Sequence, residues 1–222
     1  MLAIVGLPCS GKSTVGKRLA HRLQRPFIDL DAAIEVRLGC SIRQYFELHG
    51  EEKFRDMECE MVELMSRLNH CVLSTGGGAV LRMQNREILK QRATVLYLYA
   101  TPEQLLPRIG SHGARPLLQV ANPLERLYVL YQTRDPLYRE IAHHVIATGC
   151  QPPARVVHAI CTQRTARVLC SSLFRLCTGF ENQRCASARR KARPANTVAA
   201  TRFIQRWALA ELRSLCPAVA AK

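Results

Sequence analysis

The chain has 222 residues, of which 48% are hydrophobic and 22% charged, with a formal net charge of +15. That is enough for a real core in one good-sized domain, or one domain plus an extension, and no apolar run approaches the length of a membrane span. The excess charge would suggest nucleic acid if it were spread evenly, but residues 1–164 hold 21 Lys and Arg against 15 Asp and Glu, whereas residues 165–222 hold 11 against 2.

The ten cysteines form no CxxC pair, and the grouping of His158 with Cys161 lacks a second pair for zinc. In a chain of this size they read as reduced thiols, which places the protein in the cytoplasm.

The first element is LAIV (2–5), with no basic residues before it. It makes a poor signal peptide and a good buried strand. GLPCSGKS (6–13) follows and matches G-x-x-x-x-G-K-[ST] between that strand and a helix over 12–24. Such a loop turns backbone N–H groups inward, and the helix N-terminus adds partial positive charge for a nucleotide's phosphates. Gly6, Cys9, Ser10, Gly11, Lys12, Ser13 and Thr14 are the nucleotide-binding candidates; Lys12 reaches the β and γ phosphates and Ser13 ligates Mg²⁺. The Cys9 side chain is given no chemical role.

FIDL (27–30) reads as the second strand and is followed by a helix over 31–38. If the strand carries Asp29 and Asp31, their side chains share a face and repel. The bland alternative has Asp31 capping the next helix. Beside a phosphate-binding loop, one carboxylate for a magnesium ion and one for a substrate hydroxyl resolves the repulsion.

Helical patterns at 42–48 and 51–69 lie within and beyond GCSIRQYFELHGEEKFRDMECE, where Glu58, three residues after Arg55, is placed to hold its guanidinium. CVLST (71–75) is the third strand, and its glycine run STGGGAV (74–80) lets backbone N–H groups approach a ligand. A helix over 82–91 and a strand TVLYLY (94–99) come next, then a helix over 102–109. RIGSHGARPLL (108–118) is a glycine-broken loop that carries Arg115, like a mobile lid bringing in a cation. A helix over 123–143 carries Arg134 and is expected to be interrupted at Pro136. HVIA (144–147) and a helix over 154–163 complete the alternation. Strands separated by helices imply a mostly parallel sheet covered on both faces.

From about residue 164 the pattern fails. ENQRCASARRKARPANT (181–197) is basic and nearly devoid of apolar residues, like a flexible linker, and 198–215 could form one amphipathic helix. The division expected is therefore a catalytic unit at 1–163 and a basic extension at 164–222.

FIDLD, G-x-x-x-FR-x-x-E, GGG, RPLL and R-x-PLY-x-x-x-A, in this order after a P-loop, closely resemble shikimate kinase over residues 1 to about 163. The resemblance implies a three-layer α/β P-loop kinase fold, with a five-stranded parallel sheet flanked by helices and the basic C-terminal extension as an atypical addition. It implies ATP-dependent phosphorylation of the shikimate 3-hydroxyl, with one Mg²⁺ ion. On this likeness Asp29 is linked to the magnesium, and Asp31 hydrogen-bonds the reacting diol and serves as a candidate base. Arg55 and Arg134 clamp the substrate carboxylate, Glu58 steadies Arg55, and Gly77 and Gly78 lie against the substrate. Arg115 reaches the phosphates from the lid, Arg108 is a second lid cation, and Arg155 falls in the adenine loop. A monomer is expected, with shikimate and ATP as its small-molecule partners and no membrane. The rival readings are another small-molecule kinase of the same fold, such as a gluconate kinase or a nucleoside monophosphate kinase, and, from a different class, a nucleic-acid-binding protein acting through its basic tail. The tail's few aromatics and lack of a recognition module argue against the second.

Overall fold

The structure is a computed structural model that describes residues 1–109, 122–149 and 151–162. Five parallel strands form one sheet in the order β2-β3-β1-β4-β5. They are β1 (Leu2–Val5), β2 (Phe27–Asp29), β3 (Val72–Ser74), β4 (Thr94–Tyr99) and β5 (His144–Ala147). The helices between them are α1 (Lys12–Arg22), α2 (Leu30–Leu38), α3 (Ile42–Ser66), α4 (Met83–Arg92), α5 (Pro102–Leu105) and α6 (Pro123–Ile141). A last helix, α7, covers 153–162.

The strands are apolar on both faces because both faces are covered. In β1, Ala3 and Val5 enter one core with α3, α4 and α6, whereas Leu2 and Ile4 enter a second core with α1 and α7. β4 divides in the same way, Val95 and Tyr97 to the first core and Leu96 and Leu98 to the second. The period-2 alternation of a strand thus sorts its side chains into the two outer layers. The three-layer architecture expected from the alternation of elements is the one observed.

Local departures from the expected elements have physical causes. β2 ends at Asp29, and Leu30, fully buried, opens α2. Asp29 therefore occupies the N-cap position, and Asp31 lies in the helix's first turn. The two carboxylates are not neighbours along one strand, and Asp31 is not the cap. The expected helix over 102–109 is α5 continued by a 3₁₀ turn at Leu106–Arg108. Pro107 lacks the N–H that an α-helical bond needs there, and Ile109 N donates to Leu106 O at 3.1 Å instead.

Pro136 was expected to break its helix, yet α6 runs through it to Ile141. A mid-helix proline costs ~3 kcal/mol or more. Leu127, Leu130 and Ile141 are buried on the same helix, and burial at ~1.5–3 kcal/mol each outweighs that cost. α3 keeps the expected division at Gly50, whose φ of 81° and ψ of 172° interrupt the helical backbone.

Five cysteines fall among the described residues, all as free thiols, and burial pushes the Cys71 thiol up to about 11. None of the described helices is long and apolar enough to cross a membrane. Residues 164–222, with the helix expected at 198–215, lie outside the described residues.

Candidate functional site

The C-terminal ends of the adjacent strands β1, β2 and β3 open together, and the P-loop, the Asp29–Asp31 turn and the glycine run start there. After β1 the loop turns at Gly6, whose φ is 150°; a Cβ on it would come within 2.8 Å of the Leu98 carbonyl oxygen. Gly11, at φ 87°, is the N-cap of α1. Buried Lys12 donates from Nζ to Gly6 O and Leu7 O, both at 2.9 Å, holding its ammonium over the loop. Ser10 is buried, and its Oγ has no hydrogen-bond partner within the described protein. A buried hydroxyl in that state favours a polar ligand atom beside it.

Ser13 Oγ donates to Asp29 Oδ2 at 2.7 Å. This contact explains why Asp29, at an N-cap position, makes no side-chain cap bond: its carboxylate is turned towards the phosphate loop. Asp31 is turned instead to the glycine run after β3. A Cβ on Gly76 would lie 2.6 Å from Asp31 Oδ1 and 3.1 Å from Glu58 Oε1. The same test on Gly77 meets Arg134 Nη1 and Pro8 Cδ, each at 3.4 Å. On Gly78 it meets Arg55, 2.7 Å from Nη2 and 2.8 Å from Cζ, with Nη1 closer still. The three glycines are therefore three points of close approach, to the two carboxylates, to Arg134 with the P-loop, and to Arg55.

Both arginines are buried. Arg55 Nη1 donates to Glu58 Oε2 at 2.9 Å, while its Nε and Nη2 donate to Glu51 Oε1 at 3.2 and 2.8 Å. Burial works against the Arg55 charge, yet Glu58 and Glu51 carry its pKa above the ordinary value. For Glu58, only 1% exposed, burial dominates and pushes its carboxyl upward; Arg55 opposes this and Asp31 adds to it. Arg134 projects from α6 one turn before Tyr138, whose hydroxyl donates to Gly77 O at 2.6 Å.

Asp31, Arg55, Glu58, Gly77, Gly78 and Arg134 thus converge, as do Lys12, Ser13 and Asp29 beside them. The remaining candidates lie elsewhere or outside the described residues. Arg108 ends the 3₁₀ turn and donates to Gly149 O. Arg155 is exposed on α7, and Thr14 is exposed in the first turn of α1. Cys9 lies in the loop at φ 63°, partly buried. Arg115 lies outside the described residues.

A family model described as shikimate kinase matches residues 8–165. The chain belongs to the shikimate kinase family. A shikimate kinase of Paracidovorax citrulli is 53% identical over 146 residues, covering 65% of this chain and 80% of that protein. One of Nitrosococcus oceani is 48% identical over 160 residues, covering 72% and 84%. Among solved structures, the shikimate kinase of Acinetobacter baumannii in complex with shikimate is similar with a TM-score of 0.72 and 41% identity. That match covers 75% of this chain and 93% of the other.

Three residues that the structure brings to this candidate site were not named individually in the sequence. Glu51 stands four residues before Arg55, a spacing that pairs charges on a helix as readily as the noticed spacing to Glu58. Tyr138 stands four after Arg134 and so shares its helix face. Gly76 makes its approach to Asp31 only through tertiary packing, which no local pattern announces.

The donor set suits magnesium. Ser13 and Asp29 offer hard oxygen ligands in contact with each other beside the phosphate loop, and no group of three His, Cys, Asp or Glu side chains is gathered among the described residues. An ion that keeps waters and takes phosphate oxygens needs no more than one or two protein ligands.

Proposed function

We propose that this chain transfers the γ-phosphoryl group of ATP to the 3-hydroxyl of shikimate, giving shikimate 3-phosphate and ADP in the route to chorismate and the aromatic amino acids. The observation that carries the reading is the pair of buried arginines, Arg55 and Arg134, at adjacent glycines of one strand-end run. Guanidinium forks hold a carboxylate bidentately and stay charged when buried. A small hydroxylated ring with a single carboxylate, anchored there, presents a hydroxyl towards Asp31.

Phosphoryl transfer asks the protein for positioning and charge neutralisation more than for covalent help. The clamp, Gly77 and Gly78 position the acceptor. Lys12 and the inward N–H groups from Gly6 to Thr14 hold the phosphates, joined in this reading by Arg115 and Arg108, with Arg155 beside the adenine. The acceptor oxygen forms its bond to the γ-phosphorus as the bond from that phosphorus to the β–γ bridging oxygen breaks. The hydroxyl proton passes to Asp31. Ser13 and Asp29 are the residues that would hold one Mg²⁺, which supplies charge neutralisation on the phosphates when bound. The protein acts as a cytoplasmic monomer, and residues 164–222 form an extension that takes no part in catalysis.

ADP release is the test, with ATP, Mg²⁺ and either shikimate, gluconate or a nucleoside monophosphate as acceptor. Release with shikimate alone is the expected result. Release with gluconate and none with shikimate would overturn the reading. Arg134→Ala is expected to raise the shikimate KM by about tenfold or more, the scale of a hydrogen-bonded charge pair, with the ATP KM little changed. An unchanged shikimate KM would remove Arg134 from the clamp.

A further inference from the structure

We propose that Tyr138 is a positioning residue for substrate binding, its hydroxyl linking the Arg134 guanidinium to the Gly77 carbonyl so that the clamp and the glycine run keep one fixed geometry. The inference rests on the proposed function, since it concerns the arginine assigned to the substrate carboxylate.

Tyr138 is fully buried, and its ring stacks on Tyr97 with centroids 5.0 Å apart. Tyr97 is anchored in turn, its hydroxyl donating to Asp135 Oδ1 at 2.7 Å while Arg139 Nε donates to Asp135 Oδ2 at 2.7 Å. The Tyr138 ring therefore has little freedom, and its oxygen is delivered to one place. There the hydroxyl donates to Gly77 O at 2.6 Å, within reach of the charge of the Arg134 guanidinium. Arg134 Nη1 is also the nearest side-chain nitrogen to the Gly77 Cβ position, at 3.4 Å. One phenolic oxygen thus uses its donor on the glycine run, at the glycine that Arg134 approaches, and leaves its acceptor pairs for the guanidinium. Burial raises the Tyr138 pKa well above the ordinary phenol range, so the proton needed for the Gly77 contact stays in place.

The glycine run has other supports that do not involve Arg134. Asn85 Nδ2 donates to Ala79 O at 3.0 Å and Arg86 Nη1 to Val80 O at 2.9 Å, both from α4. Their presence separates holding the loop from aiming the arginine. Tyr138→Phe keeps the ring and its stacking and removes the hydroxyl that bonds Gly77 and faces the charge of Arg134.

The experiment measures shikimate and ATP kinetics of the full chain, with thermal melts, for wild type, Tyr138→Phe, Arg134→Ala and the double variant. The expected result is a shikimate KM raised about tenfold in Tyr138→Phe, the scale of one hydrogen bond to a charged group, with kcat and the ATP KM within about twofold. In the Arg134→Ala background the same change should add nothing further to the shikimate KM, because the two residues act as one unit. Three results would overturn the proposal. They are a lowered melting temperature with both KM values unmoved, equal rises in the two KM values, or a full additional KM rise in the double variant. Should Tyr138→Phe melt too low to assay, Tyr97→Phe, which frees only the anchor behind the ring, must raise the shikimate KM in the same direction, and an unchanged KM would overturn the role. A wild-type chain that fails to turn over shikimate would overturn the proposed function and this role with it, whereas an active wild type with an unaltered Tyr138→Phe would overturn the role alone.

Discussion

Gly78→Ala is expected to lower kcat/KM for shikimate at least 100-fold, about 2.7 kcal/mol of transition-state stabilisation, while ATP still binds. The added Cβ would sit 2.7 Å from Arg55 Nη2 and 2.8 Å from Cζ. A flexible side-chain end on the surface would swing away at little cost. Arg55 has no such exit, because Glu58, buried behind it, holds Nη1 and Glu51 holds Nε and Nη2. Moving it either breaks a buried charge pair, at ~3–5 kcal/mol when one partner is lost outright, or pushes the glycine run off the P-loop contact at Pro8. Both routes spoil the proposed carboxylate clamp and leave Lys12 and the phosphate loop as they are. The check is a set of shikimate kinetics beside an ATP-analogue titration of the same variant. Near-normal kcat/KM would show that Arg55 is not held where its contacts place it. Gly50→Ala is the useful contrast, since its Cβ would meet nothing within 4 Å and its cost is backbone strain at φ 81° alone.

Asp31→Asn is expected to remove most turnover, ~10²–10⁴-fold for a lost general base, with ATP affinity retained. Asparagine keeps the shape and loses the acceptor capacity for the hydroxyl proton. The lower end of that range is expected if the transition state is loose and the proton leaves late, because a base then contributes little and Asp31 acts chiefly by orienting the hydroxyl. The substitution also removes a negative charge that pushes the Glu58 carboxyl upward, so the Glu58 pKa should fall in the variant. Single-turnover rates with saturating ATP and shikimate distinguish chemistry from binding. A rate within a few-fold of wild type would remove Asp31 from the mechanism.

Much of this site is legible in the chain because its parts are local. The P-loop is one contiguous motif whose residues bind through backbone groups and a helix terminus, so spacing alone locates it. Arg55 and Glu58 share a helix face by spacing, and the strands LAIV, TVLYLY and HVIA stand where their apolar runs put them. What misled was the junction of β2 with α2. FIDL reads as four strand residues, but the fourth, Leu30, is buried as the first residue of a helix, and a leucine is at home in either setting. That one-residue shift puts Asp29 at the N-cap and Asp31 inside the first turn of the helix, against Gly76. Pro136 misled for a different reason: the cost of a proline is local, whereas the burial that offsets it comes from the partners of α6 across the core. Gly76 owes its approach to Asp31, and Tyr138 its bond to Gly77, to contacts between residues far apart in sequence; the spacing of Tyr138 from Arg134 shows their common helix face but not that bond.

The central claim concerns which bond is made, so the decisive measurement is the structure of the product. The full 222-residue chain is incubated with ATP, Mg²⁺ and shikimate, and the organic phosphate is assigned by ³¹P–¹H correlation NMR. A single phosphomonoester coupled to the proton on C3, formed in step with ADP, is the expected result. ADP without an organic phosphate, or a phosphate on another hydroxyl, would contradict the placement of the ring between the two arginines and Asp31.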